Sequence, residues 1–378
     1  MNIYVHIPFC RRKCIYCDFY SVGERLADWP AFVDAILAEA SQRIEEEEKF
    51  TISPAVCQWP STIYIGGGTP SLIPEKEFGR LAGGLLNYFD TPPLEFTIEV
   101  NPDDVTDAKA QAWRNAGVNR VSMGVQSLVD SELATIGRRH DSARARDAYK
   151  ILRRYFDNIS LDLMFGLPGQ TPESLQHTLD AFIEMGPEHV SAYSLMYEEA
   201  TALTRMRDAG KIAEASDSDS CGMFSLICSS LAEAGYERYE ISNYSRPGRE
   251  SIHNSLYWQG VPYIGLGPGA HSYDGNRCRR SNLPDFRSYM ARGAEASIET
   301  LTDEELREEM LMTRLRTARG LSLVEYGGRF GSAALAQLRS DAKEWIADDK
   351  LILDEQNGML RLSEAGVMIS DEIIIALL

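Results

Sequence analysis

Six short β-type runs, with helical stretches between most of them, constrain this chain more than any other feature. The first begins at Asn2; the others are Thr62 to Ile65, Glu95 to Val100, Arg120 to Val125, Asn158 to Phe165 and His189 to Leu195. Between them, Ala31 to Ile44 carries Phe32, Ile36, Leu37, Ala40 and Ile44 at helical spacing, and helices are expected over Glu75 to Phe89, Asp107 to Asn115 and Pro172 to Met185. Such alternation implies a parallel sheet with right-handed crossovers, either doubly wound or an incomplete barrel. The distinctive residues fall where the runs end: cysteines after the first, glycines after the second, Glu99 and Asn101 at the third, Gln126 at the fourth, Asp162 near the end of the fifth. Strand carboxyl ends are where these folds build sites.

Cys10, Cys14 and Cys17 are spaced C-x3-C-x2-C directly after the first strand. Thiolates are soft ligands suited to iron–sulfur clusters, and one tight loop can supply three corners of a cube. An electron-transfer cluster or a structural zinc closes with four ligands, so three thiolates leave one position for another molecule. A zinc knuckle that borrows His6, or three unrelated core thiols, are the alternatives.

A chain of 378 residues accommodates one large domain and a smaller one. With 38 Lys and Arg against 56 Asp and Glu, the net charge of −18 argues against a nucleic-acid binder. No basic, apolar leader precedes the first strand, and the late apolar run Ile373 to Leu378 is too short to cross a bilayer, so a cytoplasmic protein is expected. Seven cysteines fit a reducing compartment; Cys57, Cys221, Cys228 and Cys278 lack a tight motif and read as buried or incidental. The acidic run Glu45 to Glu48 reads as a solvated helix end. Past residue 235 the alternation fades into an aromatic, glycine-rich connection, and from Thr302 the chain is helical over Glu304 to Thr317 and Ala333 to Asp348. A hairpin of Leu351 to Leu353 and Met359 to Leu362 follows. The expected organisation is residues 1–235, a connecting segment 236–300, and a winged-helix-like module 301–378, whose acidity argues against duplex binding.

Gly66-Gly67-Gly68-Thr69-Pro70 lets backbone approach a ligand closely, or is a plain strand-to-helix turn. Glu99 can accept hydrogen bonds from a ribose diol. Together with the cysteine loop these segments resemble the radical SAM superfamily. There, S-adenosylmethionine chelates the open iron of a 4Fe-4S cluster and is cleaved to a 5′-deoxyadenosyl radical. The segments Tyr4 to Cys10, Gly66 to Pro70, Glu99 to Pro102, Ser122 to Ser127 and Asp162 to Thr171 are similar to the coproporphyrinogen-oxidase-like branch of that superfamily. The resemblance implies an α/β fold, a partial (β/α)6 radical SAM barrel with a small C-terminal helical, winged-helix-like module. It also implies that Cys10, Cys14 and Cys17 ligate the cluster, and that Tyr4, Gly67, Gly68, Thr69, Glu99, Gln126, Arg138 and Asp162 contact S-adenosylmethionine. The Arg138 guanidinium suits the cofactor carboxylate as a fork.

Two branches compete. The oxygen-independent coproporphyrinogen III oxidases carry an extension ahead of the first strand and a further cysteine two residues after the third ligand, where Phe19 stands here. Cys17-Asp18-Phe19-Tyr20-Ser21 and His253-Asn254-x-x-Tyr257-Trp258 are instead similar to the HemW-type haem-chaperone branch. That resemblance implies haem or porphyrin binding and transfer of haem to acceptor proteins, respiratory ones at the membrane face among them; a homodimer is left open. A porphyrin is a broad apolar plate whose iron takes a neutral imidazole, so His253, Tyr257 and Trp258 are the expected haem contacts, with His271 as a rival ligand. Ordinary core packing is the alternative for this motif.

Overall fold

The computed structural model describes residues 1–49 and 59–378, with the side chains of 45–49 excluded. Cys57 lies outside the described residues, while the acidic run Glu45 to Glu48 falls in the last turns of the helix Trp29–Lys49, the helix end expected there. The expected strands form as β1 Asn2–Ile7, β2 Thr62–Gly67, β3 Glu95–Val100, β4 Arg120–Gln126, β5 Ile159–Phe165 and β6 His189–Ser194. They pair in parallel, each beside its predecessor.

The segment expected to be only a connection adds strands to this sheet. β7 Glu237–Arg238 and β8 Asn243–Ser245 extend it antiparallel beyond β6, and β9 Ile264–Leu266 lies parallel to β1. The order is β9-β1-β2-β3-β4-β5-β6-β8-β7, an open sheet in which β9 and β7 are the edges. The fold is a partial (β/α)6 barrel, as expected, but the sheet does not stop at residue 235. Strands of two or three residues carry no readable periodicity of their own; pairing with neighbouring strands creates them.

Every strand of the six alternates strictly. Ile3, Val5 and Ile7, Ile63 and Ile65, Phe96 and Ile98, Val121 and Met123, Ile159 and Leu161, and Val190 belong to one buried core with residues of the surrounding helices. The helix Pro172–Met185 illustrates how those layers are set. Thr171 and Ser174 form a capping box, Pro172 occupies the first turn, and Gly186 closes the end in the left-handed region at φ 67°. The opposite face of the strands is polar: Asn2, Tyr4 and His6; Thr62 and Tyr64; Glu95, Thr97 and Glu99; Arg120 and Ser122; Ser160 and Asp162; His189 and Ser191. This lumen is a hydrogen-bonded network, unlike the branched aliphatic filling of a closed eight-stranded barrel. Thr62 donates to Asn2 Oδ1 (2.9 Å), Tyr64 to Glu99 (2.9 Å), Ser122 to Asp162 (3.1 Å), and Ser160 Oγ meets His189 Nδ1 at 2.7 Å.

The C-terminal part builds a second core around Leu311, Leu315, Leu321, Leu338, Leu351 and Ile373. Its strands Leu321–Ser322, Leu351–Asp354 and Met359–Leu362 form an antiparallel sheet with Met359–Leu362 central, matching the expected hairpin. The helix expected from Ala333 runs over Leu323–Ala347 and breaks at Gly331, where φ is 91°. This part is tied to the barrel through Ile241 N–H to the Arg316 carbonyl (3.1 Å) and Ala318 N–H to that of Tyr239 (2.9 Å).

At the amino end of the lumen Glu95 is buried against Arg120, 4.0 Å from its Nε, and accepts from the backbone N–H groups of Ile252 (2.8 Å) and His253 (3.0 Å). Removing one partner of a buried pair strands the other charge. Glu95→Ala is therefore expected to lower unfolding free energy by roughly 3 to 5 kcal/mol, read by urea denaturation; a loss below about 1 kcal/mol would show that the pair does not hold the base together.

Candidate functional site

The carboxyl ends of β1 to β5 bring the predicted residues together. Directly after β1 the chain enters the cysteine loop, closed by Cys17 N–H to the Cys14 carbonyl (3.2 Å) and by Val22 N–H to that of Pro8 (2.7 Å). Cys10 accepts a hydrogen bond from the Thr69 hydroxyl (Oγ1 to Sγ 3.5 Å), and Cys14 Sγ lies 3.6 Å from Arg138 Nη1. Burial pushes the Cys17 thiol up to about 11, and the other two cysteines are close enough to add to the shift. The remaining described thiols lie elsewhere: Cys221 and Cys228 on the helix Asp217–Glu233, and Cys278 on another strand.

His6, the alternative zinc ligand, is turned away from this role. Its Nε2–H donates to the Tyr20 carbonyl (2.9 Å), which leaves Nδ1 to accept from the Tyr4 hydroxyl (3.0 Å). Among the described residues no three His, Cys, Asp or Glu side chains converge on a single metal ion. Three thiols on one loop, partly exposed, with a guanidinium and a hydroxyl beside two of them, have the donor chemistry of an iron–sulfur cluster with one iron left uncovered.

The glycine run is held where a side chain would not fit. A Cβ on Gly68 would lie 2.8 Å from the Phe9 carbonyl oxygen and 2.9 Å from that of Ile7, and Gly67 has φ 107° with the His6 ring filling the space beside it. Gly68 N–H donates to the Ile7 carbonyl (2.7 Å) and Gly67 N–H to Glu99 Oε2 (3.1 Å). Glu99 thus closes β3 in contact with the run, its other oxygen bound to Tyr64. Burial pushes its carboxyl up to about 7, opposed by the Tyr64 hydroxyl, reinforced by repulsion from Asp162 and opposed again by the Gly67 N–H.

Gly124 is the second meeting point. A Cβ there would come 3.1 Å from Gln126 Nε2, 3.3 Å from Arg138 Nη2 and 4.0 Å from Asp162 Oδ2, so three side chains from three parts of the sequence converge above it. The register slips between Gly124 and Gln126, and Gln126 takes a φ of 71°, rare for a non-glycine residue. This bulge re-aims Gln126 at the strand end, the strained geometry that functional sites accumulate. Arg138 donates to the Gly124 carbonyl, while its buried Nε has no hydrogen-bond partner among the described residues. An unpaired guanidinium N–H is costly unless an anion satisfies it.

The ionisation of Glu99 makes a prediction. Its folded value of about 7 lies above the ordinary carboxyl value of 4.5, so the contribution is fully present below about 4.5 and is lost as pH rises through about 7. Wild-type protein should lose stability relative to Glu99→Gln across that interval. Urea midpoints at pH 5 and pH 8 in both proteins check this; parallel pH profiles would mean that Glu99 is already ionised.

The aromatic motif departs from expectation. His253, Tyr257 and Trp258 lie on the helix Ile252–Trp258, whose start is bound to Glu95 at the amino end of β3, opposite the cysteines. Because Thr62 gives its proton to Asn2, its oxygen accepts from His253 Nδ1 (2.7 Å), and Nε2 accepts from the Tyr257 hydroxyl (2.8 Å). His253 is 1% exposed, stacked on Tyr64 with centroids 5.1 Å apart, and has neither nitrogen free for iron. Tyr257 packs on Tyr263 (4.4 Å), and Trp258 lies under the Arg316 guanidinium (5.0 Å) while its carbonyl accepts from Arg314. The motif plugs the barrel base and joins it to the C-terminal part. Sequence reading missed Arg120, Tyr64 and Ser122 as lumen residues; the polar half of the strand alternation was the signal that could have found them.

Comparison with known proteins agrees with this geometry. Residues 4–182 match the family model described as the radical SAM superfamily, and residues 301–369 match the HemN C-terminal domain. The chain is 33% identical to the haem chaperone HemW of Bacillus subtilis over 100% of this chain and 99% of that one, and 32% identical to HemW of Lactococcus lactis over 98% and 96%. A mitochondrial radical S-adenosyl methionine domain-containing protein 1 from Danio rerio is 30% identical over 99% of this chain and 86% of its own length. The solved structure of coproporphyrinogen III oxidase HemN from Escherichia coli superposes with a TM-score of 0.81 at 21% identity, covering 100% of this chain and 89% of that one, and so shares the fold. The chain belongs to the radical SAM superfamily, in the family of its full-length HemW relatives.

Proposed function

We propose that this chain is a radical SAM-type haem chaperone, which binds a 4Fe-4S cluster, S-adenosylmethionine and haem and passes haem to acceptor proteins. The observation that carries the reading is likeness to HemW relatives along the entire chain, 33% over 100% of it in the Bacillus subtilis case. Phe19, 65% exposed beside the cysteine loop, supports it, because a fourth thiol is expected at that position in the oxidase branch. Cys10, Cys14 and Cys17 would ligate the cluster. Tyr4, Gly67, Gly68, Thr69, Glu99, Gln126, Arg138 and Asp162 would hold S-adenosylmethionine, with Arg138 on its carboxylate and Glu99 on its ribose. The bound cluster and cofactor would supply reductive sulfonium chemistry. The chain's own part is to hold the sulfur ligands, orient the cofactor between two charged anchors and line the lumen with fixed polar groups.

Among the described residues no helix is long and apolar enough to cross a membrane. Acceptors at the membrane would therefore be met through a protein surface, from the cytoplasm, where thiols stay reduced. The test is direct transfer: protein loaded with one equivalent of haem is mixed with an apo-haemoprotein of the respiratory chain. Recovery of the acceptor's absorbance faster than from free haem supports the reading, and no transfer from a loaded protein counts against it.

A further inference from the structure

One buried ring nitrogen near Arg138 has no hydrogen-bond partner among the described residues: Nδ1 of His140, a residue 4% exposed. Burial, then the charge of Arg138, push the His140 pKa down to about 3, so the ring is neutral and carries a single proton. Nε2 lies 3.0 Å from the Val125 carbonyl, an acceptor, so the proton sits on Nε2 and Nδ1 keeps a lone pair with nothing to receive. An orphaned buried nitrogen costs stability. A side chain present for packing alone would be better served by an apolar one, and the imidazole therefore calls for another reason.

The carbonyl it holds belongs to the bulge. β4 pairs with β3 as far as Met123, and with β5 through Gly124 opposite Asp162 and then Gln126 opposite Leu163, so Val125 has no Cα partner on either side. The extra residue of a bulge is left out of the ladder, and its buried peptide groups need donors and acceptors from elsewhere. A slip of one residue into regular register would carry Gln126 to the other face of the sheet. His140 supplies a donor from outside the ladder. Two residues earlier, Arg138 donates to the preceding carbonyl, that of Gly124, so side chains of one short segment grip both peptide groups that lead into Gln126. That segment is itself fixed: Arg138 N–H donates to the Leu133 carbonyl (2.9 Å), and Asp141 caps the helix Ser142–Arg153 by accepting from Arg144 N–H (2.8 Å). Beyond Gln126, the Ser127 hydroxyl donates to the buried Glu132 carboxylate (2.6 Å). Between these anchors Gln126 is held at a φ of 71°, and its side chain converges with Arg138 above Gly124.

We propose that His140 is a positioning residue for S-adenosylmethionine: by donating from Nε2 to the Val125 carbonyl it locks the β4 bulge, and through the bulge it aims Gln126 at the cofactor. It acts through Gln126 and not by contact of its own. The strained φ of Gln126 is the conformation that this lock maintains. Because Glu132 anchors the chain on the other side, loss of the lock frees the turn at Val125 and Gln126 while the sheet and the cysteine loop stay in place. The inference rests on the reading that Gln126 holds S-adenosylmethionine.

The full-length, cluster-reconstituted protein is titrated anaerobically with S-adenosylmethionine by calorimetry, and iron content is measured on each variant. His140→Leu should bind about tenfold more weakly, the share that one hydrogen bond from Gln126 supplies, with the iron content of the parent. His140→Asn, whose amide is too short to reach the carbonyl, should weaken as much. His140→Gln, whose amide nitrogen reaches about as far as Nε2, should bind within about threefold of the parent. A double-mutant cycle with Gln126→Ala separates positioning from a packing defect. Since His140 acts through Gln126, the double variant His140→Leu, Gln126→Ala should bind no more weakly than Gln126→Ala alone, whereas a packing defect would add its own loss. Parental affinity in His140→Leu, or full additivity in the cycle, overturns the proposal and leaves S-adenosylmethionine binding standing. If His140→Leu does not fold, the two amide variants decide, and equal affinity in His140→Asn and His140→Gln overturns it. A parent that binds no S-adenosylmethionine overturns both the proposal and the reading on which it rests.

Discussion

Replacing Cys10, Cys14 and Cys17 together by Ala is expected to leave the anaerobically reconstituted protein without cluster iron and without its charge-transfer absorbance. No other described thiol can substitute. Cys228 lies at 3.2 Å from the Tyr244 hydroxyl on the far side of the sheet, and Cys221 and Cys278 are on unrelated elements. The cysteines are partly exposed, so the substitution should cost little stability and secondary structure should be retained. Each single substitution should also be severe, because a thiolate corner is lost with no neighbour to fill it. Iron near the parent level in the triple variant would remove the assignment.

The second large effect is expected at Arg138. Its buried Nε has no partner among the described residues, while Nη2 is fixed on the Gly124 carbonyl and Nη1 faces Cys14. A carboxylate delivered to this position meets a preoriented fork. Losing a charge-assisted pair in such a site costs roughly 1.5 to 3 kcal/mol, about ten- to hundredfold in affinity. Calorimetric titration of S-adenosylmethionine should show that loss in Arg138→Ala with iron content unchanged. Arg138→Lys should recover little of it, because an ammonium cannot reproduce the fork. An unaltered dissociation constant in Arg138→Ala would detach Arg138 from the cofactor.

How far the sequence could be read depended on whether a feature is local. The strand Glu95–Val100 was legible because its apolar residues and flanking Pro102 lie within one short window, and its closing Glu99 followed from the rule that sites form at strand ends. The cysteine loop is likewise self-contained. β9 was not legible: Ile264–Leu266 sits between Pro262 and Gly267 and becomes a strand only by pairing with Ile3 to Val5, more than 250 residues earlier. The convergence of Gln126, Arg138 and Asp162 on Gly124 likewise needs the bulge in β4, which no local pattern announces. His253 misled for the same reason. An imidazole near large aromatics has the composition of a haem contact, but its partners Thr62 and Glu95 come from strands far back in the chain. Their burial converts the motif into a plug and a joint.

The most direct test of the account offers the same anaerobic, cluster-reconstituted protein coproporphyrinogen III, S-adenosylmethionine and a reductant, with haem binding measured on an aliquot. The account predicts haem binding, with no protoporphyrinogen and no carbon dioxide beyond that of a sample lacking protein. Carbon dioxide release with stoichiometric protoporphyrinogen would contradict it and make the chain an oxidase.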